Sequence, residues 1–497
     1  MTVQVQNIIN GQWRPASTGK TYDVTNPARP SEVVGTAALA SQADARDAIE
    51  AAHAAFPAWS ALSYQQRAEF MNKAAAVLVA DEAELSERIQ LFTREHGKIL
   101  KESTIEFARF GDRFQWCAAQ ADRLSIDEEL EGPPRDTIIT RQARGVASLI
   151  VPWNWPLSIL GAKLPQALMT GNTIVVKIAE QCPLAPMRTL RILAEALPPG
   201  VVNAIATPPS EIGDEMIANP LVRKINFTGS IRAGKQIMKT AADTLKALTL
   251  ELGGNDAALI MDDALLDPGA MQRLVMGTFM TSGQICMAVK RIYVDESRYD
   301  EFLEKYIAGI DRLVVGDGSK PDVTMGPLVT EAQLKVVQDL IQDSRDNGAT
   351  VQELGTIDDE QTYREGYFQR PTVVTNCDPM SRVVREEQFG PVIPVLKFSG
   401  EDQAIDFAND TEYGLCSSVW TEDKDRALAL ARKIEAGYTY VNGHGPLAQD
   451  YRGPFGGFKQ SGIGRNLGFD GILEFMELHS ISAEPGWLFQ SGETSPD

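Results

Sequence analysis

Gly145-Val-Ala-Ser-Leu-Ile-Val-Pro-Trp-Asn-Trp-Pro156 is an uncharged run of aliphatic and β-branched residues that stops at a Pro-Trp-Asn-Trp-Pro turn. Runs of the same kind recur at 173–177, 201–206, 224–227 and 248–252, each separated from the next by a helical stretch. Strand and helix alternating at this spacing predict right-handed parallel crossovers, and hence an open α/β sheet. Ligands on such a sheet collect where the strands end. A second alternating region covers 257–442, with strands expected at 291–294, 373–374, 392–398 and 438–441. Ahead of the first sheet the pattern is helical. Ser41-x-x-Asp44 and Ser63-x-x-Gln66 read as capping boxes, and His96-Gly97 as a helix end closed by a left-handed glycine.

The 497 residues exceed what one hydrophobic core serves, so two or three domains are expected. Lys and Arg number 47 against 67 Asp and Glu, a formal charge of -20 that repels nucleic acid and anionic lipid. Neither is an expected partner. Five scattered cysteines without a C-x-x-C pair argue against a disulfide framework or a zinc site and fit a reduced, cytoplasmic setting. The N-terminus lacks the basic and apolar regions of a secretory signal. The uncharged stretch 145–162 holds Pro152, Asn154 and Pro156 in its middle, which excludes a spanning helix. His53 and His96 read as ordinary surface or capping residues, Trp59 and Trp116 as core, the glycine-dense stretch 453–465 as an ordered loop, and the tail 490–497 as a fraying end.

Chemistry concentrates at the strand ends. Glu251-Leu-Gly-Gly-Asn255 closes the fifth run, and Cys286 follows within Ser282-Gly-Gln-Ile-Cys-Met-Ala-Val-Lys-Arg291. A carboxylate and a thiol, both flanked by glycine, are a general base and a soft nucleophile, the pair needed to make and then hydrolyse a thioester. A structural cysteine and a solvated glutamate are the alternative readings. Asn154, between two tryptophans and two prolines, is either an oxyanion donor or an Asx-turn residue. Gly229 and Ser230 open a helix after the fourth run and can present its N-terminus to a pyrophosphate, although a tight strand-to-helix turn needs glycine in any case. Lys177 and Glu180 can grip an adenosine ribose, with the carboxylate disfavouring a 2′-phosphate and so favouring NAD over NADP; the pair is also what a solvated helix start looks like.

Together these segments closely resemble the aldehyde dehydrogenase superfamily over essentially the whole chain. Val151-Pro-Trp-Asn-Trp-Pro156, Gly171-Asn-Thr-x-x-x-Lys177, Phe227-Thr-Gly-Ser230, Leu250-Glu-Leu-Gly-Gly254, Gly283-Gln-Ile-Cys286, Glu386-Glu-Gln-Phe-Gly-Pro-Val392 and Pro454-Phe-Gly-Gly-x-Lys459 stand in the family's order. The resemblance implies an α/β fold with a Rossmann-like cofactor domain (residues 1–120 and 143–250), an α/β catalytic domain (251–455) and a small β oligomerisation flap (121–142 and 476–497), assembling as a homodimer or homotetramer.

It further implies Cys286 as nucleophile, Glu251 as base, and Asn154 with the Cys286 N–H as oxyanion donors, while Lys163 and Glu477 match positions of a proton relay. Lys177, Glu180, Gly229, Ser230 and Trp153 would contact the adenosine and pyrophosphate of NAD, Val151, Phe227 and Leu252 would also bind the cofactor, and Glu387 would hold its nicotinamide ribose with Phe389 beside it. The second tryptophan of the Trp-Asn-Trp turn often reads phenylalanine in the family, and Cys182 stands where threonine is usual. Trp155, Ile159, Ala162 and Phe455 suggest a roomy pocket for an apolar or aromatic aldehyde, with no arginine in those stretches to meet a substrate carboxylate. A CoA-acylating enzyme, which usually lacks the glutamate base, and a catalytically silent scaffold are the competing readings.

Overall fold

Two large sheets carry the chain in the computed structural model, which describes residues 3–489. The parallel core of the first runs, in spatial order, Val202–Ala206, Thr173–Ile178, Val146–Ile150, Val222–Thr228 and Ala247–Glu251. Ile150 stands opposite Lys177 on one side and Phe227 on the other. The strand that comes first in sequence is therefore central, and the chain winds outward to one side and then to the other. The order reverses between Val146–Ile150 and Val222–Thr228, which opens a crevice at their C-terminal ends. These strands are almost wholly buried, as parallel strands covered on both faces must be.

The second sheet is ordered Thr350–Glu353, Thr372–Thr375, Val392–Phe398, Val289–Asp295, Asp256–Ile260, Cys416–Trp420 and Tyr438–Val441, parallel except at its first pair. Each strand expected from sequence is present with its ends within two residues. A third, antiparallel sheet joins Glu128–Leu130, Asp136–Ala143 and Met476–Ala483. Gly462 and Ile463 add to the edge of the first sheet beside Glu251 and Leu250, so the glycine-dense loop is tied to the strand that carries the carboxylate.

The capping expectations hold. Ser41 and Asp44 bond reciprocally at the start of Gln42–Ser60, Ser63 and Gln66 do so at Tyr64–Val77, and Glu82–His96 ends at Gly97 with φ 89°. The helical reading of the N-terminal third missed five strands. Asn7–Ile9 and Gln12–Arg14 extend the first sheet, and Val3–Val5, Thr21–Asn26 and Arg29–Ala38 form a sheet of their own. Three of them are only three residues long and the other two mix buried and exposed positions, so none shows the sustained apolar character of the central strands. Among the described residues no helix is long and apolar enough to cross a membrane. The tail 490–497 lies outside the described residues.

Candidate active site

The turn after Val146–Ile150, the end of Ala247–Glu251 and the loop between helix Pro268–Phe279 and strand Val289–Asp295 meet at one cavity, which Asn154, Lys163, Glu251 and Cys286 all line. Glu251 ends the edge strand of the parallel core and is only 4% exposed, with neither carboxylate oxygen hydrogen-bonded. Burial pushes its pKa up to about 8, against the opposing fields of Lys163 and Arg465. Gly253 and Gly254 follow because the chain passes where no side chain fits. A Cβ at Gly253 would stand 2.3 Å from Glu387 Oε2, and one at Gly254 2.5 Å from the Cys286 carbonyl oxygen.

Cys286 sits on an unusual loop. Thr281, Ser282 and Gly283 take φ of 51°, 55° and 72°, and the two non-glycine residues cost about 1–3 kcal/mol each in that region. Glu102 offsets the cost. Its carboxylate accepts the Thr281 N–H at 2.8 Å and the Thr281 hydroxyl at 3.2 Å, while Ser282 Oγ donates to the Gly326 carbonyl at 2.7 Å. Lys290 donates to the carbonyls of Ile285 and Cys286 at 2.7 and 2.8 Å, closing the loop from below. The thiol is half-buried, and burial raises its pKa to about 12, with Lys290 working the other way and Glu251 reinforcing it. At neutral pH the thiol keeps its proton until a base removes it.

Asn154 is buried, and its Nδ2 donates to the Gln284 carbonyl at 2.9 Å, so the amide is bound to the cysteine loop through one hydrogen. Its own carbonyl accepts from Lys98 Nζ and bonds the His96 ring, both at 2.9 Å. Lys98 is ion-paired with Glu106, whose second oxygen accepts the Leu157 N–H at 2.8 Å. Trp155 lies under Lys98 at 4.0 Å and donates through Nε1 to Thr281 Oγ1 at 3.0 Å. His96 is thus no surface histidine. It is fully buried, and burial holds its ring well below the usual imidazole range and so neutral.

Behind Glu251, Lys163 is buried and bonded to Asn226 Oδ1, and Asn226 Nδ2 donates to Asn466 Oδ1 at 2.7 Å. Burial lowers Lys163 to about 7 although Glu251 favours its charged form. The relay position expected at Glu477 is overturned. Strand alternation turns Met476 inward and Glu477 outward, where it is exposed and paired with Arg144. Glu474 occupies the inner place, meeting Lys224 at 3.1 Å and Thr249 at 3.0 Å.

The cofactor candidates gather at the crevice. Ser230 caps Ile231–Ala241, accepting from the Ala233 N–H, and a Cβ at Gly229 would stand 2.4 Å from Phe227 Cζ. Lys177 and Glu180 pair at 3.1 Å beyond Thr173–Ile178. Val151 is buried at the end of the central strand, and Leu252 packs under Gly234. Trp153 meets Phe389 edge-on at 5.5 Å, and Glu387, raised by burial, accepts the Gly254 N–H at 3.0 Å. A helix N-terminus preceded by Gly229 and the small cap Ser230, a paired Lys and Glu at the neighbouring strand end, and a carboxylate beside the thiol loop fit a dinucleotide laid across the crevice.

The wall near the sulfur is apolar, with Trp155, Ile159, Ala162, Met287, Phe455 and Leu467. Sequence reading missed two further lining residues, Arg109 and Arg113 of helix Leu100–Ala118. They lie far from the motifs in sequence, and an i, i+4 arginine pair reads as a solvated helix face.

A doubly wound sheet facing a buried carboxylate, an amide and a thiol defines a dinucleotide-type oxidoreductase that works through a cysteine. Residues 13–481 match the Aldehyde dehydrogenase family. The chain is 36% identical to glutarate-semialdehyde dehydrogenase of Pseudomonas putida, covering 95% of this chain and 96% of that one. It is 34% identical to the NADP(+) succinate-semialdehyde dehydrogenase of Escherichia coli, over 95% and 96%. The structure superposes on betaine aldehyde dehydrogenase of Staphylococcus aureus, solved with NAD+, with a TM-score of 0.90 at 32% identity, covering 98% and 97%. This chain belongs to the aldehyde dehydrogenase family.

Proposed function

We propose that the protein oxidises an aldehyde to its carboxylic acid with NAD+ through a thioester on Cys286. The observation that carries this is a single cavity holding an unpartnered buried carboxylate, Glu251, together with a thiol and an amide. Glu251 shares the cavity with the thiol and has both oxygens unpartnered, so once ionised, above about pH 8, it can accept the thiol proton. The thiolate then forms a bond to the carbonyl carbon, and the oxygen takes the charge. Asn154 has a second amide hydrogen to offer that oxygen, beside the Cys286 N–H. When bound, the oxidised nicotinamide accepts the hydride that leaves as the carbonyl re-forms. Once Glu251 has passed that first proton on, it takes one from water, whose oxygen attacks the thioester; collapse breaks the C–S bond and releases the acid, and the Cys286 thiolate regains a proton from Glu251. Lys163, Asn226 and Asn466 form a buried polar chain beside Glu251, and Lys224 and Glu474 form a separate pair. In this reading Lys163, and not Glu477, takes up the proton that Glu251 releases.

Val151, Trp153, Lys177, Glu180, Phe227, Gly229, Ser230 and Leu252 would hold the adenosine end, and Glu387 and Phe389 the nicotinamide end. Glu180 favours NAD over NADP. We take residues 1–120 and 143–250 as the cofactor domain, 251–455 as the catalytic domain, and 121–142 with 476–497 as the oligomerisation flap. The Met476–Ala483 sheet, with Leu478 and Ile481 exposed, suits edge pairing in a homodimer or homotetramer. Relatives named for succinate and glutarate semialdehydes favour a small polar aldehyde over the apolar or aromatic one suggested by Trp155, Ile159, Ala162 and Phe455. Acid and NADH formed in equal amounts from an aldehyde without CoA would support this reading. Absolute dependence on CoA would refute it.

A further inference from the structure

The oxidation places an aldehyde carbon at Cys286 and leaves the rest of the cavity without a role; any role for that remainder rests on the oxidation being the reaction. Arg109 and Arg113 lie four residues apart on one helix and both face this cavity. Arg113 is 8% exposed, and its Nε and Nη1 have no hydrogen-bond partner. Arg109 gives one nitrogen to the Pro446 carbonyl at 2.6 Å. Among the described residues neither guanidinium takes part in an ion pair. The groups felt by Arg113 are Arg109, Tyr451, Cys117, Asp112 and Asp450, while Arg109 feels Glu106 and Asp112; burial holds Arg113 below the usual guanidinium range while leaving it charged at neutral pH.

Two adjacent cations facing a largely apolar cavity are costly unless an acceptor joins them, because a guanidinium does not shed its proton to escape. Nearby donors are also idle. Ser158 Oγ and Gln449 Nε2 line the same cavity, buried and without a partner. Tyr451 covers the face of Arg113 with its ring centroid at 4.2 Å, which leaves the planar N–H edge for recognition. With Nε and Nη1 both unpartnered, each planar edge of the guanidinium keeps a free donor for a carboxylate. In a chain of net charge -20, this pair is a local reversal of sign at the place where substrate must enter.

We propose that Arg109 and Arg113 form a specificity subsite for an anionic group at the far end of the substrate. The preferred aldehydes are then ω-oxo carboxylates. Their carbonyl lies at Cys286, their apolar stem along Ile159, Ala162 and Phe455, and their carboxylate on Arg113. This joins the apolar wall expected from sequence to a charged end that sequence did not disclose.

The test measures NADH formation by the NAD-loaded enzyme with succinate and glutarate semialdehydes, against n-butanal and n-pentanal. In the wild type, kcat/KM favours the oxo acids by about 100-fold, mainly through KM. Arg113→Met collapses this ratio towards one, and Arg113→Lys restores part of it. A wild-type ratio of one or less, or a ratio unmoved in Arg113→Met, overturns the proposal. Should Arg113→Met fail to fold, inhibition of the wild type decides. Competitive inhibition by glutarate and none by its dimethyl ester supports the subsite, and equal inhibition by both overturns it. Alkanals oxidised as well as oxo acids would sink only the subsite, whereas no NADH from any aldehyde would sink the oxidation as well.

Discussion

The two sides of the cavity are built on opposite principles. On the thiol side, buried charges have partners: Lys98 meets Glu106 and the Asn154 carbonyl, and Glu102 holds the strained Thr281 backbone. On the base side, Glu251 is buried with both oxygens free. The first arrangement fixes two loops relative to each other, since Asn154 and the cysteine loop are bonded through Gln284 and through Trp155 to Thr281. The second leaves a carboxylate able to turn between thiol and water. Oxyanion stabilisation needs donors that do not reorganise, whereas a base serving two proton transfers needs freedom. The contrast assigns rigidity to acylation and mobility to hydrolysis.

The largest effect is expected from breaking the base side. Glu251→Gln should lower steady-state turnover by about 10²–10⁴-fold while rapid mixing still shows a first turnover of NADH, slowed because the thiol has lost one acceptor for its proton. Loss of the burst together with the steady state would instead make Glu251 essential for acylation too. Next comes the thiol side: Glu106→Gln strands Lys98 and should cost about 3–5 kcal/mol in urea unfolding. A cost under about 1 kcal/mol would show that the pair does not organise the loop. Asn154→Ala should lower kcat by about 10²–10³-fold with little change in the stability of the fold, and stopped-flow should place the loss in the burst phase.

The smallest and most discriminating effect is on pH. Glu251 has a pKa raised to about 8, so thioester hydrolysis should rise with pH through that value, and the apparent pKa belongs to the coupled Glu251 and Lys163 pair. The sign for stability is opposite. A carboxyl whose folded pKa lies above its unfolded value stabilises the fold fully below the unfolded value of 4.5, and this is lost as pH rises through about 8. Glu251→Gln should therefore gain in Tm relative to wild type on going from about pH 5 to about pH 9. A constant difference in Tm across that range would contradict the buried, unpaired state of the carboxylate.

The parts legible in the sequence were those carried by local pattern. Val146–Ile150 and Thr173–Ile178 are continuous apolar runs, and Ser41 with Asp44 is a cap whose partners are three residues apart. Cys286, Glu251 and Asn154 stood out because glycine, proline and tryptophan around them signal close backbone approach. What stayed hidden depends on pairing at a distance. His96 looks like a helix end until Asn154 is brought to it, and Lys98 and Glu106 are ordinary surface types until folded together. Arg109 and Arg113 face the cavity only because their helix packs beside the Asn154 turn. Glu477 stands exposed on the strand Met476–Ala483 beside Arg144, and the carboxylate that meets Lys224 is Glu474, at the end of the helix before that strand, a placement no local pattern signals.

The most direct test of a thioester on Cys286 is intact-protein mass spectrometry of the Glu251→Gln enzyme, quenched after mixing with aldehyde and NAD+ and followed by peptide mapping. One acyl group per chain is expected, on the Cys286 peptide, formed in step with the NADH burst. NADH production by Cys286→Ala at the wild-type rate, or an unmodified Cys286 throughout turnover, would contradict it.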